Sequence, residues 1–203
     1  MSNGSLYTSI NNHIATVEFG HPASNSFPSE LLDRLTKALN ELSENDDVHL
    51  IVLKSEGERA FCAGASFDEL MTISTLSEGK EFFSGFANVI NAMRTCSKLI
   101  VGRVQGKAVG GGVGLISACD YALATEAAAI KLSELSIGIG PFVIAPAVER
   151  KMGKAALTEL TLAATEWKNA YWAKEKGLYA KVFETIDELD KELDIFTHHL
   201  ASY

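Results

Sequence analysis

The hydrophobic pattern of the chain alternates between strand-like and helix-like segments. Residues 13–19 alternate apolar and polar positions, which predicts a half-buried strand. Residues 6–10 precede this strand, and the Asn11-Asn12 pair between the two segments predicts a hairpin turn. Three short and nearly continuous apolar runs predict buried strands, at residues 49–54, 99–104 and 121–124.

Helical periodicity fills the segments between the predicted strands. Pro28 and Ser29 open the first helix, and the Ser29 side chain is expected to cap its free N–H groups. The leucines of this helix share one face: Leu31, Leu32, Leu35, Leu39 and Leu42. Further helices are predicted over residues 78–95, after Gly110-Gly111-Gly112, two or three times within residues 143–176, and over an acidic amphipathic tail, residues 185–203. Strands that alternate with helices predict an α/β fold with mostly parallel pairing.

The chain contains no internal repeat, low-complexity segment or linker-like stretch. We therefore predict a single domain over residues 1–203, with a core of residues 1–184 and a helical tail of residues 185–203. Of its 203 residues 47% are hydrophobic and 22% are charged, which is enough apolar material for one full core. The same composition argues against a disordered chain.

Composition and charge exclude several classes of function. Without an apolar run of about 18 residues no membrane span is expected, and the first five residues lack the features of a secretory signal. Cys62, Cys96 and Cys119 form no CxxC pair, which favours reduced thiols in a cytoplasmic protein. The five histidines show no metal-ligand spacing, so no metal is expected. A net charge of −8 argues against a nucleic-acid partner.

Two loops rich in small residues are the strongest candidates for a functional site. The first covers residues 60–67, and the second covers residues 109–114 between a strand and a helix. Glycine lets the backbone approach a ligand closely, and a glycine run that opens a helix presents unpaired N–H donors. No Gly-Lys-Ser/Thr follows either loop, and neither loop matches the GxGxxG fingerprint. A phosphate-binding loop and a dinucleotide-binding loop are therefore both disfavoured. Read alone, the glycine run is as well explained by a tight turn.

Taken together in this order, the loops resemble the two signatures of the crotonase superfamily, the enoyl-CoA hydratase/isomerase family. Leu50-Ile51-Val52-Leu53 with residues 60–65 resembles the first signature, and residues 106–120 resemble the second. His21-Pro22-Ala23-Ser24-Asn25 lies where the family has its Pro-x-x-x-Asn loop. The match extends from about residue 6 to about residue 184. It implies the crotonase-like spiral of ββα units, as in the ClpP/crotonase fold.

The resemblance implies an oxyanion hole made by the backbone N–H groups of Ala65 and Gly111. Chemistry next to the carbonyl of an acyl-CoA passes through a thioester enolate, and two fixed donors stabilise its oxygen by roughly 3–4 kcal/mol each. Further residues are implied to contact the substrate: Ala23, Ser24, Ala63, Gly64, Ser66, Phe67, Leu70 and Gly110. For Phe67 and Leu70, ordinary core packing is an equal alternative. No cofactor is implied, because coenzyme A is part of the substrate.

The carboxylates decide the expected reaction. Hydratases of this family commonly use two glutamates, and the position of the first is Gly114 here, which has no side chain to take a proton. The second is kept as Glu134, within an apolar stretch that is expected to raise its pKa. A solvated glutamate is the plainer alternative for Glu134. One catalytic carboxylate is therefore expected.

A single carboxylate leaves several reactions open. It can serve a hydratase or a double-bond isomerase, and residues 110–115 with residues 137–141 resemble the branched-chain subgroup that handles methylglutaconyl-type thioesters. This favours a hydratase slightly over an isomerase. A catalytically silent acyl-CoA binder is the alternative from another class, and a hydrolase that uses Cys62 is a weaker one. Asp68 and Glu69 could reach the acyl end, although solvation explains them equally well.

The C-terminal region of the chain bears on the expected assembly. Family members usually continue beyond the segment that resembles residues 177–182 with helices that cover the acyl pocket and pack trimers, so a short or missing C-terminal helical region is expected here. A homotrimer or hexamer is the implied assembly.

Because the net charge repels a polyanion, bound coenzyme A must rely on local cations. The candidates are Lys54, Arg59, Lys98, Arg103 and Lys107.

Overall fold

The computed structural model describes residues 3–203, and most of their strands form one six-stranded sheet. In spatial order the sheet contains β1 (Ser5–Asn11), β2 (Ile14–Gly20), β3 (Leu50–Ser55), β5 (Leu99–Val104), β7 (Tyr121–Thr125) and β9 (Lys181–Phe183). The first two strands form the antiparallel hairpin that the sequence predicts. All the other neighbours in the sheet pair in parallel, also as predicted.

A smaller parallel sheet gives the fold its spiral. It consists of β4 (Ala60–Cys62), β6 (Lys107–Val109) and β8 (Ile130–Lys131). The strands β3 and β4, β5 and β6, and β7 and β8 follow one another in the chain, and each pair gives its first strand to the large sheet and its second to the small sheet. A helical segment follows each pair. This is the spiral of ββα units that the resemblance implies.

The helices follow the strands in turn. They are α1 (Ser29–Ser43), α2 (Phe67–Leu70), α3 (Leu76–Thr95), α4 (Gly111–Ala118), a 3₁₀ helix (Glu134–Ile137), α5 (Ala145–Met152), α6 (Lys154–Leu162), α7 (Ala170–Glu175) and α8 (Ile186–Ala201). Three of them fall within residues 143–176, as predicted. Among the described residues, no helix is both long and apolar enough to pass through a bilayer.

Strand β3 has a continuously apolar sequence because both of its faces are buried. Successive side chains of a strand point to opposite faces. Ile51 and Leu53 belong to the main core with the leucines of α1, whereas Leu50 and Val52 belong to a second cluster that packs against Leu193, Phe196 and Leu200 of α8. Both faces of the sheet are therefore covered. The division into a core of residues 1–184 and a tail of residues 185–203 stays a prediction; Thr185 is the N-cap of α8.

Two predicted helix starts are wrong in detail. Ser29 does not cap α1; it is the first helical residue, and its N–H and hydroxyl both donate to the Glu69 carboxylate, at 3.0 and 2.6 Å. Glu69 thus supplies from α2 the anionic cap that Ser29 was expected to provide. Helix α3 begins at Leu76 rather than at residue 78, because Thr75 and Glu78 form a capping box in front of it.

Candidate active site

One pocket brings together most of the predicted site residues. It has about 830 Å³ of empty space, part of it open to solvent, and lies between the first loop, α3, the start of α4, the 3₁₀ helix and the segment before α5. Eight predicted residues line it: Ala63, Gly64, Ala65, Phe67, Leu70, Gly110, Gly111 and Glu134. Glu134 therefore faces the same space as the two loops, although it lies 70 residues after Gly64 in the chain.

The first loop leaves the amide of Ala65 free. Phe27 bridges Ala65 in parallel: the Phe27 N–H donates to the Gly64 oxygen at 2.8 Å, and the Ser66 N–H donates to the Phe27 oxygen at 2.9 Å. Both bonds use the neighbours of Ala65, so its own N–H lies on the other side. Gly64 has φ of +89°, a conformation that favours glycine. Within residues 3–203, the Ala65 N–H donates to no acceptor.

The second loop leaves the amide of Gly111 free in the same pocket. Gly110 has φ of +52°, and its N–H donates to the Lys131 oxygen at 2.9 Å. Gly111 is the first residue of α4, where an N–H has no acceptor within the helix, and it donates to no other group of residues 3–203. A Cβ added to Gly64 would be 3.4 Å from the Gly111 nitrogen, so the two loops touch at this point. Two free donors therefore border one pocket.

Among the described residues that line the pocket, Glu134 has the one carboxylate. It is the first residue of the 3₁₀ helix, and its Oε2 atom is buried without a hydrogen-bond partner among the described residues. Loss of solvent on burial raises the pKa of its carboxyl group above the ordinary value. A Cβ added to Gly110 would lie 2.9 Å from Oε1 of Glu134, so the glycine makes room for the acid beside Gly111.

The position of the family's first glutamate is closed by packing. Gly114 is buried in α4, and a Cβ added there would lie 2.5 Å from Cγ2 and 2.9 Å from Cβ of Ile144. Ile144 itself lines the pocket. The second carboxylate is absent here, as expected, and the apolar side chain of Ile144 fills the space beside Gly114. A longer side chain at residue 114 would require Ile144 to move.

The apolar side of the pocket is built largely from residues that the sequence does not identify. They are apolar residues of α3 and of the segments around α5: Phe82, Phe83, Phe86, Ile137, Ile139, Val143 and Ile144. Phe67, with 57% of its surface exposed, and the half-buried Leu70 line the pocket, which excludes the core-packing alternative for Phe67. The three phenylalanines within residues 82–86 were the available signal, but on a helix they read as ordinary core residues.

A second pocket adjoins the first and is lined by two cations and by two acids, Glu56 and Glu58. Ala63 and Val109 line both pockets, and Ser24, Arg59, Lys107 and Trp167 line only the second. The Nζ atoms of Lys107 and Lys131 lie 4.9 and 4.7 Å from the centre of the Trp167 ring. Of the five cations considered from sequence, Arg59 and Lys107 therefore border this hollow.

The other three candidate cations are placed elsewhere. Lys54 pairs with Glu18 at 3.2 Å, and Arg103 pairs with Asp190 at 2.5 Å. Lys98 borders a different hollow, together with Arg94.

Several remaining candidates support the loops rather than face the pockets. Ala23 and Ser66 line neither of the two pockets; the Ser66 hydroxyl caps α2 by accepting from the Glu69 N–H. The buried side chain of Asn25 donates to the carbonyls of Glu56 and Ala60, at 2.8 and 2.9 Å. Nearby, the Ser24 oxygen accepts from the Ala63 N–H at 3.1 Å. These bonds fix the position of the loop that contains Ala23 and Ser24 against the first loop.

Cys62 and Glu69 are not suited to chemistry in the pocket. Cys62 is fully buried, burial raises the pKa of its thiol to about 12, and its sulfur accepts from the Gly64 N–H. A thiol in this state is a weak nucleophile, which counts against a Cys62 hydrolase. Glu69 binds Ser29 at the start of α1 and so has a structural partner.

A family model described as enoyl-CoA hydratase/isomerase matches residues 9–202. The chain belongs to the enoyl-CoA hydratase/isomerase family. The fold agrees: the enoyl-CoA hydratase of Mycobacterium smegmatis superposes with a TM-score of 0.91 at 26% identity, over 97% of this chain and 76% of that one. The predicted crotonase-like fold and the predicted enzyme class are therefore confirmed at the level of the family.

Relatives of the chain include hydratases and isomerases. It is 32% identical to the mitochondrial methylglutaconyl-CoA hydratase of Rattus norvegicus, over 84% of this chain and 51% of the relative. It is 30% identical to the peroxisomal Delta(3,5)-Delta(2,4)-dienoyl-CoA isomerase of Arabidopsis thaliana, over 82% of this chain and 63% of the relative. The chain thus spans between half and two thirds of the length of these two proteins. Family membership alone does not decide between the two reactions.

Proposed function

We propose that the chain is an acyl-CoA hydratase that acts on an enoyl-CoA thioester with Glu134 as its one acid/base group. One observation carries the proposal: among the described residues, two unpaired backbone N–H groups and the half-buried Glu134 carboxylate, whose Oε2 atom is buried and unpaired, border the same largely apolar pocket. Unpaired buried polar groups are uncommon in folded proteins, so their convergence calls for a polar ligand. A thioester carbonyl with reactive carbons next to it matches that arrangement.

In the proposed reaction, the thioester oxygen accepts from the N–H groups of Ala65 and Gly111. Glu134 takes a proton from a water molecule while the oxygen of that water adds to the β carbon. The electron pair of the double bond moves onto the carbonyl oxygen, which the two donors stabilise as an enolate. The enolate then takes the proton from Glu134 at the α carbon, and the product is a 3-hydroxyacyl thioester.

The physical terms are large enough for catalysis. Removal of one donor from a comparable oxyanion hole costs about 3–4 kcal/mol of transition-state stabilisation. A positioned acid/base group contributes about 10²–10⁴-fold. The apolar lining lowers the local dielectric and strengthens both effects. The raised pKa of Glu134 moves it towards neutrality, where a group can both take and return a proton.

A double-bond isomerase is the second candidate, and the closed position at Gly114 favours it. Isomerisation needs one group that takes a proton from the α carbon and returns it to the γ carbon, with no water to hold. Ile144 fills the place from which a second carboxylate would help to orient a water molecule. The same two amides would stabilise the dienolate formed on the way.

The proposal includes the substrate's carrier and the assembly. The nucleotide part of coenzyme A would lie against Ser24, Arg59 and Lys107 in the second pocket, where the two cations would bind its phosphates beside the acids Glu56 and Glu58. We also propose a homotrimer or hexamer located in the cytoplasm. Exposed apolar side chains near the pocket, among them Met71 and Leu76, support an assembly that would cover them.

Product analysis tests the proposal. The purified chain is incubated with a 2-enoyl-CoA and with a 3-enoyl-CoA of the same length, and the products are identified by mass and chromatography. A hydratase adds the mass of one water to the 2-enoyl ester, whereas an isomerase converts the 3-enoyl ester at constant mass. Calorimetric binding of the esters without turnover of either would contradict the proposal and support a silent binder.

A further inference from the structure

In the part of the chain that the structure describes, one charged side chain lines the acyl pocket, and it is an acid. Among the described residues that line it, Ser133 and Glu134 carry the polar side chains, and no lysine, arginine or histidine is present. The walls at the acyl end consist of aromatic and branched apolar side chains, among them Phe82, Phe83 and Val143. An acyl group therefore meets hydrocarbon and a carboxylate.

Among the described residues, neither α2 nor α3 places a cation in the lining of the pocket. On α2 the charged residues are Asp68 and Glu69, both acids, and Glu69 is bound to Ser29. On α3, Lys80 is exposed and borders a neighbouring groove that shares Phe83 and Val143 with the pocket. Lys80 lines that groove and does not line the pocket.

We infer that the site accepts uncharged acyl groups and rejects thioesters whose acyl group ends in a second carboxylate. An ionised carboxylate that leaves water for an apolar pocket loses its hydration, and without a cation nothing compensates for the loss. A like charge on Glu134 adds repulsion. The inference rests on the proposed function. The inferred selectivity differs from that of the rat methylglutaconyl-CoA hydratase as its name describes it, because a methylglutaconyl group has a terminal carboxylate.

Two saturated esters of equal shape test the inference. Glutaryl-CoA ends in a carboxylate, and 5-methylhexanoyl-CoA has two methyl groups in place of the two carboxylate oxygens. Neither has a double bond to hydrate or move, so calorimetry on the unmodified protein measures binding alone. We expect 5-methylhexanoyl-CoA to bind at least about tenfold more tightly. Equal affinities, or tighter binding of glutaryl-CoA, would overturn the inference and leave the proposed function standing, whereas binding of neither ester would overturn both.

A charge introduced into the wall tests the physical cause. Phe83 lines the pocket and is 37% exposed, so an arginine there can keep contact with water. Phe83→Arg is expected to shift the affinity ratio towards glutaryl-CoA by about tenfold relative to Phe83→Gln, the control that removes the ring without adding charge. A ratio that is the same in the two variants would show that the missing cation does not set the selectivity, and would overturn the inference in this form.

Discussion

The 3₁₀ helix and α4 both border the pocket, but they present opposite chemistry to it. The 3₁₀ helix begins with Glu134, whose Oε2 atom is buried and unpaired within residues 3–203, and Gly110 leaves room for the carboxylate. Helix α4 has Gly114 at the other position where the family uses a glutamate, and Ile144 packs against it. One side of the site holds an acid in a costly state, and the other is filled with hydrocarbon.

This difference separates two parts of the site, the backbone donors and the side chains that transfer protons. The donors at Ala65 and Gly111 belong to the backbone, so they persist whatever side chains surround them. Proton transfer depends on side chains, and in the proposed function it is assigned to Glu134. The site should therefore stabilise an enolate in the usual way, while all proton movement passes through one carboxyl group.

A large expected loss of turnover tests whether the carbonyl is held beside Glu134. Ala65→Pro removes the N–H and places the proline ring where the thioester oxygen would lie, while the bonds of Gly64 and Ser66 to Phe27 do not involve this N–H. We expect kcat to fall by about 10²–10³-fold. Ala65→Gly keeps the donor and is the control. Steady-state kinetics that gave equal kcat for the two variants would remove Ala65 from the oxyanion hole.

The next effect tests whether the α4 side is closed. Gly114→Ala places a methyl group against Ile144, and overpacking of this kind destabilises a fold by about 1–3 kcal/mol. Gly79→Ala in α3 is the matched control, because its Cβ would lie at an ordinary 3.7 Å from Ile73. Alanine is expected to stabilise that helix by about 0.5–1 kcal/mol. Urea unfolding of both variants measures the difference, and equal stabilities would mean that the position at Gly114 is open.

The smallest effect tests whether Glu134 is held in a costly state. Its pKa is raised by burial, so the folded protein binds this proton more tightly than the unfolded chain does. The cost is absent below the pKa of the unfolded chain, near 4.3 by general reference, and is complete above the raised pKa of the folded state. Glu134→Gln should therefore raise the melting temperature near neutral pH but not near pH 4.

A rise of a few degrees at most is expected, since about 1 kcal/mol corresponds to about 2–4 °C in a domain of this size. Glu149→Gln, at an exposed glutamate of α5, is the control for the change of charge. A lower melting temperature of Glu134→Gln at neutral pH would contradict the assigned environment.

The large sheet could be predicted from sequence because its strands are long enough to show a pattern. Strands β3, β5 and β7 are apolar on both faces and were found. Strands β4, β6, β8 and β9 have two or three residues each, too few for any periodicity, and were missed. The cap of α1 was assigned to the wrong residue because Glu69, which supplies it, lies 40 positions away in the chain.

The residues of the site also divide into those that the sequence predicts and those that it does not. Backbone donors follow from glycine and alanine at fixed loop positions, so Ala65 and Gly111 could be named from their motifs, and the structure leaves both of their N–H groups unpaired within residues 3–203. The acyl wall could not be named, because an apolar helix residue such as Phe86 has the same pattern whether it faces the core or a cavity. The packing of Ile144 against Gly114 joins residues 30 positions apart and leaves no local signal.

The turnover of Glu134→Gln tests the central claim most directly. Glutamine keeps the shape of the side chain but cannot exchange the proton, so kcat is expected to fall by about 10²–10⁴-fold. Affinity for a saturated acyl-CoA should stay within about threefold of the unmodified protein, because in the proposed function the two amides and the second pocket bind it. Threefold is a small change on the affinity scale. The exposed-site variant Glu149→Gln should retain full activity. Unchanged turnover of Glu134→Gln, beside intact binding, would contradict the account.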